Sequence, residues 1–333
     1  MENAAQERRK QMIVRRDFLA ATAAAATMTA APAWAQAYPT RPVRMIVPFP
    51  PGGPIDTMGR MVASDLSNRL GQQVIVDNRA GAGSTVGTKL AAAAAPDGYT
   101  LLFGSSGSLA VAPALYQSLD IDPLKLTPIA KVALLPHVFV MANSLPVKSV
   151  KEFIDYAKAH PGELNYGAGL GTPPHLLSTL FVSKAQINAV YVPYKGAAAS
   201  INDLLAGRVQ FTIDALISLY PLIEAQKVRP LAFGRAERWP TLPDLPTLVE
   251  SGFPDFTIDA WTGVAAPAGT PADIVAKLNG AINEGLRSEP SKAVLAKFSA
   301  IPAPGTPQDF AAFLATEVPR WAALVKLAGA KAE

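Results

Sequence analysis

Uncovered backbone amides, more than reactive side chains, are the groups through which this sequence can act. Pro48-Phe49-Pro50-Pro51-Gly52-Gly53 follows the apolar run Val43–Val47, Gly81-Ala82-Gly83-Ser84 follows residues 74–76, and Gly104-Ser105-Ser106-Gly107 follows residues 99–103. A fourth turn, Gly167-Ala168-Gly169-Leu170-Gly171-Thr172, lies mid-chain, with His175 just beyond it. Each turn falls where a strand pattern runs into a helix pattern. Glycine leaves the backbone bare, so N–H groups at a helix start can point into a cleft and meet an anion. The candidate ligand contacts are Phe49, Pro50 and Gly53; Ala82 and Ser84; Ser105 and Ser106; and Gly169, Gly171, Thr172 and His175. Such turns hold an anionic small molecule without changing it.

The side chains that could do more are few. Asp214 closes the strand expected over 209–213 and faces a crevice if the strands are parallel. There it either accepts from a hydroxyl or ammonium group of a ligand or is an exposed strand-end carboxylate. Asp56 reads as a helix cap. The serines of the third turn read as hydroxyl donors to a ligand, as N-caps, or as both. The three histidines, His137, His160 and His175, form no triad or metal pattern, and only His175 is expected near a cleft. There is no G-x-S-x-G elbow and no cysteine, which excludes disulfides, thiolate catalysis and Cys-ligated metal. Gly81-x-Gly83-x-x-x-Gly87 approximates a dinucleotide fingerprint, but its third glycine is one residue late. Asp97 stands in a Pro-Asp-Gly turn, not at the end of the next strand. Turn geometry with anion binding is the simpler reading, so no catalytic residue, metal or cofactor is expected.

Short β-rich runs alternating with helical patterns must position these turns, which argues for parallel α/β architecture. Strands are expected at Val43–Val47, 74–76, 100–103, 164–166, 190–192, 209–213, 229–233 and 261–265. Helices are expected over 55–70, 85–95, near 109–119, 150–160, from His175, 197–206, 271–286, 291–298 and from Pro307. In the last, Phe310, Phe313, Leu314, Trp321, Leu324 and Val325 make a core-facing stripe. Short crossings near 138–143 and 256–261 divide the chain into one domain of residues 36–140 plus 260–333 and a second of 141–259.

Residues 1–35 read as an export signal. Arg15-Arg16-Asp17-Phe18-Leu19 is a twin-arginine pattern, followed by an alanine-rich stretch and the Ala33-Trp34-Ala35 cleavage triplet. No Ser or Thr precedes the arginine pair, which leaves the ordinary secretion route open. Removing five basic and three acidic residues with this segment lowers the net charge from +4 to +2. The remaining cations are scattered, so no nucleic-acid footprint is present. No later run reaches the length of a membrane span; the longest, residues 128–142, is broken by Lys131, Pro136 and His137.

A family resemblance enters through the motifs in order. Tyr38-Pro39-Thr40-Arg41-Pro42-Val43 and Val47-Pro48-Phe49-Pro50-Pro51-Gly52-Gly53, with Asp56 and Arg60, closely resemble the opening of the Bug-type substrate-binding receptors of tripartite tricarboxylate transporters. Asn78-Arg79-Ala80-Gly81-Ala82-Gly83, Pro96-Asp97-Gly98-Tyr99, Gly171-Thr172-Pro173-Pro174-His175-Leu176, Val192-Pro193-Tyr194-Lys195-Gly196 and Leu242-Pro243-Asp244-Leu245-Pro246-Thr247 continue the likeness. It implies an α/β, two-domain periplasmic binding protein, type II-like, whose interdomain cleft closes around a carboxylate. The grip implied is of backbone amides, small hydroxyl side chains and ordered waters. Ser84, where the family usually has another glycine, and Ala168 and Leu170 depart from its pattern and bear on which ligand fits. The function implied is an exported receptor that delivers a mono- or dicarboxylate to integral-membrane transporter subunits by transient contact. A periplasmic sensor that presents the liganded receptor to a signalling protein is the alternative, with a periplasmic enzyme behind it.

Overall fold

The structure, a computed structural model, describes residues 38–116 and 121–331, so the export-signal reading of residues 1–35 and the end of the helix expected over 109–119 lie outside it. The chain begins with three strand–turn–helix units. Strand β1 (Val43–Val47) leads through the proline–glycine turn into α1 (Pro54–Leu70). Pro54 stands at the first helical position, where its missing N–H is no loss, and Gly71 closes the helix in the left-handed conformation. Strand β2 (Val74–Asn78) and the Gly81 turn precede α2 (Thr85–Ala92). Strand β3 (Thr100–Ser105) runs into a π-turn over Gly107–Val111 and the short α3 (Ala112–Leu115).

Two strands then follow almost without interruption, β4 (Thr127–Leu135) and β5 (His137–Ala142). Only Pro136 separates them; lacking an N–H, it ends one ladder, and the chain enters a second sheet. That sheet is built by α4 (Val150–Ala159), β6 (Leu164–Gly169), α5 (Pro173–Ala185), β7 (Ala189–Tyr194), α6 (Ala197–Leu205), β8 (Phe211–Ala215), α7 (Leu216–Glu224) and β9 (Val228–Phe233). The chain then returns through β10 (Ala260–Ala266), α8 (Ala272–Leu286), α9 (Glu289–Lys297), β11 (Ile301–Pro302) and α10 (Pro307–Leu327).

The first sheet has the order β11-β4-β10-β3-β1-β2 and the second β7-β6-β8-β5-β9. The alternation of strands and helices argued for parallel α/β architecture; the fold is α/β, and each sheet combines parallel with antiparallel pairs. β1 pairs in parallel with β2 and β3, and β6 with β7 and β8. β10 runs antiparallel to both of its neighbours, β3 and β4, and β5 to both β8 and β9. The reversed strands are those by which the chain enters a sheet from the other one, with no crossover helix to restore a parallel direction. β4 carries Lys131 and Pro128 inside an apolar run and was not expected as a strand.

Apolar burial holds each sheet between layers. In the second, Phe139, Phe153, Phe181 and Phe211 pack as an aromatic cluster, with centroids 4.6 Å apart for Phe139–Phe181 and 5.0 Å for Phe153–Phe211. Val138, Val140, Leu204, Leu216, Leu219 and Phe233 fill the opposite face. In the first sheet Trp261 meets Phe310 edge to face at 5.9 Å. The expected stripe of α10 is buried at Phe310, Leu314, Trp321, Leu324 and Val325, with Glu317 among them accepting from Trp321 Nε1 at 3.0 Å.

Candidate functional site

The parallel strands of both sheets end at one cleft, as open α/β sheets dispose their ligand sites. A cavity of about 380 Å³ is walled on one side by Pro48, Phe49 and Pro50 after β1, Ala80, Gly81, Gly83 and Ser84 after β2, and Gly107, Val111, Ala112, Leu115 and Tyr116 after β3. Its other wall is Leu170, Gly171, Thr172 and Pro173 after β6. Among the described residues, no charged side chain lines it. A second cavity, also about 380 Å³, adjoins it through Leu170 and Thr172 and extends to Tyr194, Lys195, Gly196 and Asp214 in the second sheet.

Of the residues singled out from sequence, Phe49, Pro50, Ser84, Gly171 and Thr172 line the first cavity, and Gly169, Thr172 and Asp214 the second. Gly53, Ala82, Ser105, Ser106 and His175 line neither. Gly53 is the N-cap of α1, Ala82 is exposed in a turn, and Ser105 and Ser106 are buried at the end of β3. Ser105 caps its own turn: its N–H donates to Ser108 Oγ at 2.9 Å and its Oγ accepts from Ser108 N–H at 3.4 Å. His175 is buried behind the cleft, stacked on Tyr191 at 3.9 Å. Its Nδ1 accepts from the Gly171 N–H at 3.2 Å, so it supports the turn from beneath. Burial pushes its pKa down to about 4.

Asp56 has a different role from the cap expected of it. Gly53 occupies the cap position, and the Asp56 carboxylate accepts from the Gly52 N–H at 2.8 Å, Arg60 Nε at 2.9 Å and Asn78 Nδ2 at 2.8 Å. Asn78 also donates to Phe49 O at 3.1 Å, so this network ties the first two turns together. Burial opposes ionisation of Asp56, but the bonds from Arg60, Gly52 and Asn78 outweigh it and hold the carboxyl below its ordinary range.

Many turn amides are thus already committed. Gly52 gives its N–H to Asp56, Ser84 to Gly81 O at 3.0 Å, Gly171 to His175 and Thr172 to Gly169 O at 3.1 Å. On the cavity wall the N–H groups of Phe49, Ala80, Gly81, Gly83, Gly107 and Leu170 donate to no protein acceptor among the described residues.

Two contacts shape the first cavity, and neither was foreseen. Gly83, at φ +61°, lies beneath the Tyr116 ring, where a Cβ would stand 2.4 Å from Cε2. Gly171, at φ +69°, faces Leu115 across the cleft, where a Cβ would stand 2.6 Å from Cδ2. Leu115 and Tyr116 sit one helical turn beyond the Gly107 turn, a spacing that could have pointed to them. Among the described residues, no group of three or more His, Asp or Glu side chains could hold a metal ion, and no helix is long and apolar enough to cross a membrane.

The arrangement can enclose a small molecule with an apolar body and offer it backbone amides. Known proteins share this chain's sequence pattern and fold. The family model for the tripartite tricarboxylate transporter family receptor matches residues 58–330. Protein BugT of Bordetella pertussis is 40% identical over 305 residues, 91% of this chain and 94% of that protein. A solved R. palustris protein with adipate is 39% identical with a TM-score of 0.74, covering 88% of this chain and 98% of that one. MatC from Rhodopseudomonas palustris with bound malate is 34% identical, TM-score 0.71, covering 86% and 100%. The fold is that of two-domain periplasmic solute-binding proteins.

Proposed function

Because this chain belongs to the tripartite tricarboxylate transporter receptor family, we propose that it binds a small organic carboxylate in its cleft and delivers it to integral-membrane transporter subunits. The protein acts outside the cytoplasm, in the periplasm, after removal of residues 1–35. The two lobes divide at Pro136 and near residue 260, four residues earlier than the sequence suggested at the first crossing, because β5 pairs along its whole length in the second sheet: residues up to 136 with 260–333 form one lobe, and residues 137–259 the other. The observation that carries this reading is the cleft itself: a largely apolar cavity, without charged side chains among the described residues, walled by glycine turns from both sheets. Relatives solved with adipate and malate support the carboxylate assignment. The protein works by differential binding. The ligand touches both walls only when they approach, so it stabilises a closed form that the permease distinguishes from the open one. No bond is made or broken in this cycle.

Thermal unfolding with acids and their methyl esters tests the carboxylate grip. At a ligand concentration about 100 times the Kd, linkage stabilises the native state by about 2.7 kcal/mol. Carboxylic acids should raise the melting temperature and their methyl esters should not. Equal stabilisation by acid and ester would show that the cleft reads shape, not charge, and would overturn the assignment. Mass spectrometry of ligand retained through native purification would identify the molecule itself.

A further inference from the structure

The second cavity contains a buried acid that the fold leaves uncompensated. Asp214 ends β8 with only 4% of its surface exposed, and it lines the cavity with Gly169, Leu170, Thr172 and Lys195. One carboxylate oxygen accepts from the Ala215 N–H at 2.6 Å. Among the described residues its other oxygen receives no hydrogen bond, and no Lys, Arg or His pairs with it. Neighbouring donors are engaged elsewhere: the Thr172 hydroxyl donates to Gly169 O at 2.7 Å and the Tyr194 hydroxyl to Asp203 at 2.6 Å. Lys195 is exposed and forms no ion pair with Asp214. A carboxylate this buried, with one oxygen left without a protein donor on a cavity wall, is costly, and folds retain such groups where a ligand completes them.

We propose that the cavity beside Asp214 is a subsite for an ammonium group, so that the ligand is an amino carboxylate. This rests on the carboxylate reading above and adds the chemistry of the ligand's far end. The two cavities adjoin through Leu170 and Thr172. A molecule whose carboxylate lies at the glycine turns therefore has its other end at Asp214. An ammonium there supplies both the missing donor and the missing positive charge. A second carboxylate would set two like groups together and could bind there only by taking up a proton between them, whereas an ammonium needs none. Leu170, half exposed and on the wall of both cavities, suits the methylene chain between the two ends.

Calorimetric titration of the protein at neutral pH with chain-matched pairs tests this. The pairs are γ-aminobutyrate against succinate and ε-aminocaproate against adipate. In at least one pair the amino acid should bind about tenfold or more tightly than the dicarboxylate. Asp214→Asn should remove most of that preference by weakening the amino acid alone. If the dicarboxylate binds as tightly or more tightly in both pairs, Lys195 reads the far end and the subsite assignment fails. A preference that survives in folded Asp214→Asn also overturns it. Should that variant not fold, the wild-type comparison decides by itself. If neither amino acids nor dicarboxylates bind, while other carboxylates shift the melting temperature, only the subsite falls. If no carboxylate acts at all, the underlying function falls with it.

Discussion

Replacing Gly171 by alanine separates two demands that the structure places on one residue. Its φ of +69° is a conformation in which an L-residue costs roughly 1–2 kcal/mol. That strain is present whether or not a ligand is bound, so it should appear as a lowered melting temperature of the free protein. The added methyl would also stand 2.6 Å from Leu115 Cδ2, about 1 Å inside ordinary carbon–carbon contact. Leu115 is buried, so relief comes from displacing its side chain or from holding the cleft walls apart. Overpacking of this kind costs about 1–3 kcal/mol. Because it arises only when the walls meet, it should reduce ligand affinity about 5- to 150-fold. Leu115→Ala removes the atom that clashes, so the double variant should recover much of the affinity while keeping the lowered melting temperature. Calorimetric affinities for the four proteins of this cycle give the coupling directly. Purely additive losses would refute the argument that Leu115 and Gly171 meet when ligand is held.

Two further outcomes follow from the supports beneath the turns. His175→Leu leaves the Gly171 N–H without an acceptor and should destabilise the protein by about 1–3 kcal/mol at neutral pH, measured by urea unfolding. The His175 pKa is depressed to about 4, so its neutral form stabilises the fold above the ordinary value of about 6.5, and this is lost as pH falls toward 4; the gap between wild type and variant should narrow over that window, and a constant gap would contradict the assignment. Asp56→Ala strands the Gly52 amide, Arg60 and Asn78, and should weaken carboxylate-induced stabilisation as well as the fold; unaltered ligand response would separate the network from the site.

The sequence patterns located most of the elements because the strands are short and glycine or proline turns punctuate them. Val43–Val47 and the helix from Pro54 follow from an apolar run, a Pro-Gly turn and a left-handed glycine stop. What escaped was long-range. Nothing local in Ala260–Ala266 says that it inserts antiparallel between β3 and β4, since direction depends on where the chain has been, not on its side chains. β4 was hidden because Pro128 and Lys131 interrupt its apolar run, although Lys131 lies over the Phe313 ring at 4.3 Å. At the site, the turns were legible from glycine, but the partners of their amides were not. Asp56 looked like a cap because it opens a helix; only the fold brings Asn78, from the end of β2, to the same carboxylate.

The position of β10 also bears on how the molecule is made. β10 is an inner strand of the first sheet, flanked by β3 and β4, yet it leaves the ribosome after every strand of the second sheet. The second sheet comes from one uninterrupted stretch, His137 to Phe233, and can complete itself during synthesis. The earlier-made half must wait, with the facing edges of β3 and β4 unpaired until residue 260 and beyond appear. Open edges of that kind invite pairing with other chains. The nascent chain is therefore most vulnerable to aggregation after its middle has folded and before its end has arrived, the interval in which a holding chaperone would act.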